Sequence, residues 1–174
     1  ISVIIILYFL TSDNEIKIFL IIISIPIFIS LLFNFELFNL PKLFLGDSGS
    51  LLMGFLISFI LIFYANQNLA HPILLAWSVA IFVYEFLSVN LERLIDKKPV
   101  FKAGLDHLHH KLLKKNKSIL LTDFLLFVIN ITLFIIGYAS FKAINSAASL
   151  ILFIFFFIIF FILKKKYLIK KNET

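Results

Sequence analysis

Residues 147–166 read AASLILFIFFFIIFFILKKK, which is seventeen uncharged residues followed by three lysines. An α-helix needs about 20 predominantly apolar residues to cross the hydrocarbon of a bilayer. The stretch therefore predicts a membrane-spanning helix. Its phenylalanine-rich part, Phe153 to Phe161, has no period and is interpreted as lipid-facing. The lysines that begin at Lys164 are expected to contact headgroups or to fix the topology.

Five further apolar stretches occur in the 174 residues, of which 61% are hydrophobic and 23 are Phe. A soluble core of this size could not bury so much apolar surface, so the natural solvent is a bilayer. The sequence predicts an all-α fold, a polytopic transmembrane helical bundle of about six spans in a single membrane-embedded domain, 1–174. The six stretches are 1–10, 16–33, 51–65, 73–91, 122–141 and 147–163. The first is short and does not begin with Met, so we expect a truncated first helix and the C-terminal part of a longer protein.

The basic residues are distributed unevenly between the loops. Six spans alternate the two sides of the membrane, and one side then holds 14 of the 16 Lys and Arg, while the other holds only Lys17 and Lys142. Basic loops prefer the cytoplasm, so loops 34–50 and 92–121 and the C-terminus are predicted to be cytoplasmic. The net charge of +6 thus indicates topology, and no nucleic acid partner is expected, because such binders spread Lys and Arg over a soluble face. Without cysteine, disulfides and thiolate metal sites are excluded.

Directly before the third predicted span lies the motif KLFLGDSGS, residues 42–50. A carboxylate near hydrocarbon is costly unless it is paired, which makes Asp47 a candidate functional group. Asp47 could alternatively cap the helix that begins at this point. The two glycines that flank it favour a close approach of the backbone to a ligand or ion over a simple cap.

The second motif is PVFKAGLDHLHHK, residues 99–111, where three imidazoles and one acid lie within five positions. In a helix, Asp106 would face His109 and His110, and His107 would neighbour His110. Such a group could bind zinc, transfer protons, or bind phosphate with help from the flanking lysines. The alternative is a solvated loop whose basic residues only hold the topology.

Together, the two motifs resemble those of the polyprenyl-phosphate N-acetylhexosamine-1-phosphate transferase superfamily. In that family a cytoplasmic stretch ending in Gly-Asp-x-Gly-Ser-Leu opens a transmembrane helix, as residues 46–51 do here. A later cytoplasmic loop carries Pro-x-x-x-x-x-x-Asp-x-x-His-His or a close variant, and residues 99–110 are similar to it. The resemblance covers the whole chain through the order and sidedness of its spans, and the pairing of the two motifs makes it specific.

The resemblance implies a reaction, its partners and a site. N-acetylhexosamine-1-phosphate would be transferred from a UDP-sugar to polyprenyl (undecaprenyl) phosphate at the cytoplasmic face of the bacterial inner membrane, releasing UMP and starting the synthesis of a cell-envelope glycan such as lipopolysaccharide or cell wall. The implied partners are the polyprenyl phosphate lipid, UDP-N-acetylhexosamine and the membrane, with a homodimer left open. Asp47 matches a catalytic acid that coordinates Mg²⁺ or Mn²⁺. The other implied residues are catalytic and substrate-binding His107, His109 and His110, and substrate-binding Arg93, Lys102 and Asp106.

The chain departs from the family pattern in two ways. The paired acids of an early cytoplasmic loop and an Asn and Asp motif are not in this chain, so its 174 residues alone are expected to be inactive. Glu85 stands where many relatives have Asp, in the span before the His loop, either as a structural residue or as a conservative replacement.

Two functions of other classes compete with this interpretation. Residues 46–49, Gly-Asp-Ser-Gly, also fit the pattern of rhomboid-like intramembrane serine proteases, with Ser48 as nucleophile. Such a protease needs a His from another membrane helix within reach, whereas His71 is predicted on the opposite side of the bilayer. In a non-enzymatic transporter or scaffold subunit, Asp47 and Glu85 would mark an ion path, which leaves the His cluster unexplained.

Overall fold

The structure is a computed structural model, and it describes residues 1–99 and 107–172. Within these ranges the chain is helical and has no strand, which confirms the predicted all-α class. The chain divides into two compact units, Ile1–Ser78 and Val79–Thr174. The helices are α1 (Ser2–Leu10), α2 (Asn14–Asn34), α3 (Gly46–Asn66), α4 (Pro72–Ser78), α5 (Ala80–Ile95), α6 (Leu108–Asn116), α7 (Ile119–Ala143) and α8 (Ser146–Asn172), with a short 3-10 helix at Leu37–Asn39.

Four of the described helices are long and apolar enough to cross a membrane, namely α2, α3, α7 and the Ser146–Lys165 part of α8. A fifth candidate is α4 and α5 taken together as one broken span. Helix α1 has nine residues, fewer than the roughly 20 that a span requires. The predicted polytopic membrane bundle is confirmed, with four or five spanning candidates rather than six.

The first unit is held together by the carboxyl end of α3 and the short helix α1. Tyr64 is fully buried, and its hydroxyl donates a hydrogen bond of 3.1 Å to the carbonyl of Leu7. The same carbonyl, near the end of α1, also accepts from the N–H of the C-cap residue Thr11 at 3.2 Å. Helix α2 begins at its N-cap Asp13, whose carboxylate accepts from the backbone N–H groups of Glu15 and Ile16, the usual role of an acidic cap.

In the second unit, α5 and α8 pack through an aromatic seam. The ring of Tyr84 lies 4.9 to 5.9 Å from the rings of Phe153, Phe157 and Phe160, and its hydroxyl donates to the carbonyl of Phe153 across 2.7 Å. Spacings of four and three residues put these three phenylalanines on one helical face. The prediction that the whole Phe153 to Phe161 run faces lipid is therefore wrong for this face.

The predicted span 73–91 is interrupted at Val79, between α4 and α5. The first N–H groups of a helix have no partner within it, and lipid offers none. Asn130 of α7 is fully buried, and its side-chain oxygen accepts from the N–H of Ile81, in the first turn of α5, at 3.3 Å. This contact explains how the second unit tolerates a helix start inside an apolar stretch.

Two stretches outside the predicted apolar runs are helical in the structure. Helix α3 begins at Gly46, five residues before the apolar run at 51, which confirms the helix start expected at the Gly-Asp-Ser-Gly-Ser segment. The predicted cytoplasmic loop 92–121 contains helix α6, which is polar on average and gave no apolar signal.

Candidate functional site

Asp47 lies in the first turn of α3, on the exposed surface of the first unit. The N-cap of α3 is Leu45, which makes no side-chain cap hydrogen bond. Asp47 is therefore not the cap, and the capping alternative is excluded by the helix boundary. Its carboxylate has no hydrogen-bond or ion-pair partner among the described residues, so its oxygens are accessible to an external ligand.

The glycines beside Asp47 each have a local backbone reason. Gly46 has a φ of +67°, the left-handed region that residues with a Cβ adopt only at a cost. Gly49 lies under the side chain of Leu45, and a Cβ at this position would clash with Leu45 Cγ. These glycines thus shape the turn that delivers Asp47 to the start of α3.

A divalent cation fits the first unit in one limited way. Mg²⁺ usually keeps several waters and is bound by one or two carboxylates together with substrate phosphates. Asp47 can serve as one such ligand. Glu36, a second acid of the same loop region, is ion-paired with Lys42 at 3.1 Å, so its carboxylate already has a cationic partner. Within the described ranges no group of three His, Cys, Asp or Glu could hold a metal.

The described histidines of the second motif lie at the N-terminus of α6. His107 is the N-cap, with extended backbone angles of φ −70° and ψ 146°, and the ring of His107 stacks on that of His109 with centroids 5.5 Å apart. The helix begins at Leu108, and the expected contact of His107 with His110 involves a side chain outside the described residues. The backbone of His110 is in α6 but its side chain lies outside the described residues, as do Lys102 and Asp106 entirely.

Glu85 of α5 contacts the beginning of α6. Its Oε1 accepts a hydrogen bond of 2.5 Å from the backbone N–H of Leu108 and lies 3.4 Å from Nδ1 of His107. The N-cap side chain makes no cap hydrogen bond of its own, so Glu85 supplies it from 23 positions earlier in the sequence. Sequence reasoning singled out Glu85 without identifying this partner.

Lys164 of α8 lies against the same face of α5. Its Nζ donates to Ser88 Oγ at 2.8 Å and lies 3.5 Å from Glu85 Oε1 and 3.8 Å from Glu92 Oε2. Only 1% of the Lys164 side chain is exposed. The expectation that Lys164 contacts headgroups is therefore wrong, because its ammonium is enclosed between two carboxylates. We name Glu85, Ser88, Glu92 and Lys164 the α5–α8 polar cluster.

The sequence contains a signal for this cluster. Glu85, Ser88 and Glu92 are spaced by three and four residues, which places them on one face of a helix. Arg93, at the next position, is also buried, with 8% exposed. It lies in the last turn of α5, where a cation is favoured by the helix dipole. The helix dipole thus gives Arg93 a structural reason for its position that does not require a phosphate ligand.

The protease alternative fails on distance within the first unit. Ser48 and Asn66 lie at opposite ends of α3, which separates them by about 27 Å at 1.5 Å per residue. The N–H of Leu69 donates to the carbonyl of Tyr64 at 3.0 Å, which holds the segment leading to His71 at the far end of α3. His71 therefore cannot serve as the base for Ser48, and its Nδ1 instead accepts from the N–H of Ile73 at 3.2 Å.

The fold and the two motif regions define a class of polytopic, all-α membrane protein with an exposed acid at a helix start and paired imidazoles at another helix start. Comparison with known proteins identifies similar chains within that class. Over 76 residues, 42% of this chain, it is 33% identical to the undecaprenyl-phosphate alpha-N-acetylglucosaminyl 1-phosphate transferase of Pasteurella multocida (strain Pm70) and 34% identical to the protein of the same description from Yersinia pestis. These relatives confirm the resemblance to the polyprenyl-phosphate N-acetylhexosamine-1-phosphate transferase superfamily.

The match has a limited extent. It spans 21% and 20% of the length of the two relatives. No protein-family model matches the chain, and no solved structure matches it.

Proposed function

We propose that this chain is part of an enzyme that transfers N-acetylhexosamine-1-phosphate from a UDP-sugar to undecaprenyl phosphate. The observation that carries the proposal is the similarity to two transferases described as acting on undecaprenyl phosphate. The exposed Asp47 and the stacked His107 and His109 support it, since they supply the acid and the imidazoles that the chemistry needs.

The reaction is a phosphoryl transfer between two anions. An oxygen of the lipid phosphate attacks the β-phosphorus of the UDP-sugar, the bond from this phosphorus to the bridging oxygen breaks, and UMP leaves with that oxygen. The products are UMP and a polyprenyl diphosphate sugar. Phosphoryl transfer of this kind depends on positioning and on neutralising charge.

The residues have separate roles in this proposal. Asp47 would be one ligand of Mg²⁺ or Mn²⁺, and the ion would screen the charge of the two phosphate groups. His107, His109 and His110, with Arg93, would bind the diphosphate of the nucleotide sugar as cationic or hydrogen-bonding groups. Lys102 and Asp106 are proposed for the same region. The proposed location is the cytoplasmic face of a bacterial inner membrane, because loops 34–50 and 92–121 fall on the basic side.

The proposal is tested with the protein expressed from its gene in membranes that lack other enzymes of this class. Membranes receive labelled UDP-N-acetylglucosamine, undecaprenyl phosphate and Mg²⁺, and the label is followed into a lipid product. We expect lipid-linked label and release of UMP in equal amounts, and neither with EDTA. If label enters lipid with release of UDP, the enzyme transfers the sugar without its phosphate, and the proposed reaction is wrong.

A further inference from the structure

The beginning of α6 depends on a residue outside it. The first N–H groups of any helix need acceptors, and here the N–H of Leu108 donates to Glu85 Oε1 across 2.5 Å. This bond joins α6 to α5 across 23 positions of sequence. A hydrogen bond to a carboxylate is stronger than one between neutral groups, so the start of α6 is fixed to α5 at this point.

The same carboxylate oxygen lies beside the imidazole of His107, with Nδ1 at 3.4 Å. A carboxylate next to one imidazole nitrogen favours a proton on that nitrogen, which decides the tautomer and the ring orientation. His107 in turn stacks on His109. The orientation of one ring is thereby transmitted to the second.

The Glu85 carboxylate is itself held in place. Lys164 Nζ lies 3.5 Å from its Oε1 and donates to Ser88 Oγ, and Ser88 Oγ donates to the Glu85 backbone carbonyl at 3.0 Å. A buried ammonium needs such partners, because leaving it unpaired is costly. Rotation of Glu85 away from α6 would therefore also disrupt the contacts of Lys164.

The α5–α8 polar cluster has more buried carboxylate oxygens than described donors. One oxygen of Glu85, Oε2, and one of Glu92, Oε1, are buried without a hydrogen-bond partner among the described residues. Unsatisfied buried carboxylate oxygens raise the demand for donors around them. Nδ1 of His107 lies 3.4 Å from the other oxygen of Glu85, Oε1, so a proton on Nδ1 would add a donor beside the same carboxylate.

We propose that Glu85 is a positioning residue of the nucleotide-sugar site, which orients His107 and the first turn of α6 while the α5–α8 polar cluster holds its carboxylate in place. The proposal rests on the proposed function in that His107 is taken to contact the substrate. It adds that the acid in the span before the His motif acts through the imidazole. A residue that only stabilises the helix would affect the amount of folded protein and leave the kinetics per folded molecule unchanged.

The kinetic test compares the variants Glu85→Ala, Glu85→Gln and His107→Ala, each made in the protein expressed from its gene. The rates are divided by the amount of folded protein, which gel filtration measures. We expect Glu85→Ala to raise KM for the UDP-sugar about tenfold or more, by analogy with the loss of partners that orient metal-binding imidazoles. KM for undecaprenyl phosphate should stay within about twofold of wild type, which is the usual deviation for sites that do not interact. Glu85→Gln keeps an acceptor for Leu108 and should fall between wild type and Glu85→Ala.

The double variant shows whether Glu85 acts through His107. If it does, adding Glu85→Ala to His107→Ala should change KM for the UDP-sugar less than about twofold, because coupled residues are not additive. Full additivity of the two changes would overturn the proposal. So would a Glu85→Ala protein with wild-type KM values. Lys165→Met, on the exposed side of α8, serves as the control and should leave both KM values unchanged.

A spectroscopic measurement separates this proposal from the proposed reaction. The protein is labelled with ¹⁵N-histidine in lipid nanodiscs, and the His107 signal is assigned with the His107→Ala variant. We expect a protonated Nδ1 in wild type and a shift towards the Nε2–H tautomer in Glu85→Ala. A protein without transfer activity that still shows this shift would reject the reaction and retain the positioning role. An unchanged His107 spectrum in Glu85→Ala would overturn the positioning role, whatever the activity.

Discussion

Lys164 Nζ donates a hydrogen bond to Ser88 Oγ across 2.8 Å, joining α8 to α5 over 76 positions of sequence. The lysine opens a basic run that looks like a surface tail, yet its side chain is enclosed and flanked by Glu85 and Glu92. Membrane helices associate through packing and polar contacts, since lipid removes the hydrophobic drive between them. This contact and the Tyr84 seam together fix the register of α8 on α5.

Replacing Lys164 by Met is expected to destabilise the protein by about 3 kcal/mol, the lower end of the cost of breaking a buried ion pair. The lower end applies because Glu85 and Glu92 remain 16% and 12% exposed and Glu85 keeps its bond to Leu108. Lys165→Met, one position on and exposed, is the matched control. Unfolding by SDS in mixed micelles measures both, and equal losses for the two variants would contradict the enclosed ion pair.

Asn130→Ala should destabilise the second unit by about 1 to 3 kcal/mol, because the N–H of Ile81 would lose its acceptor in a region without water. Thr132→Ala is the control on the same helix, since Thr132 is exposed and bonds only to the carbonyl of Val128 among its described contacts. Hydrogen exchange at the amide of Ile81 should accelerate in Asn130→Ala alone. An unchanged exchange rate would show that another acceptor satisfies the break at Val79.

Gly46→Ala is expected to cost about 1 to 2 kcal/mol, the penalty for placing a Cβ in the left-handed region. Gly54 lies on the exposed side of α3, and a Cβ there meets nothing within 4 Å. Gly54→Ala should therefore be neutral or stabilising by up to roughly 1 kcal/mol through helix propensity. Thermal unfolding of the two variants measures the difference, and the same sign for both would contradict the turn conformation at Gly46.

Asp47→Asn should lower transfer activity by roughly 10² or more, the size of effect seen when one preorganised electrostatic group is lost. The side chain is exposed and keeps its shape, so the amount of protein in the membrane should stay the same. Glu15→Gln, an exposed acid at the start of α2, is the control. A Mg²⁺ titration of the residual activity should be displaced to higher concentration, and an unchanged titration would remove Asp47 from the metal.

Single cysteines at Asn39 and Asp96 are expected to react with a membrane-impermeant thiol reagent from the same side of the membrane. A cysteine at Asn68 should react from the other side, because α3 separates the two loops around it. All three positions are exposed, and the chain has no cysteine of its own. Labelling of Asn39 and Asp96 from opposite sides would contradict the predicted topology and the proposed cytoplasmic location of both motifs.

The membrane class and the two motif regions could be predicted from the sequence. In lipid, every backbone group of a spanning helix must find its hydrogen-bond partner within that helix. Each span is therefore a continuous apolar run, which can be read directly from the sequence. The Gly-Asp-Ser-Gly-Ser motif likewise predicted the start of a helix, and α3 begins at Gly46. Its glycines determine the backbone conformation of a turn a few residues long, and such a turn depends on local sequence.

Only the tertiary structure decided which polar and aromatic residues are enclosed. Lys164 and Lys165 are identical letters in one basic run, and the rotation of α8 against α5 buries the first and exposes the second. The same rotation places Phe153, Phe157 and Phe160 on Tyr84, and folding of the chain after α5 brings Leu108 to Glu85. A hydropathy pattern cannot contain this information, because lipid and a neighbouring helix are equally apolar surroundings. The face of α8 that packs on α5 differs from the lipid-facing side only in its side-chain packing and paired polar groups.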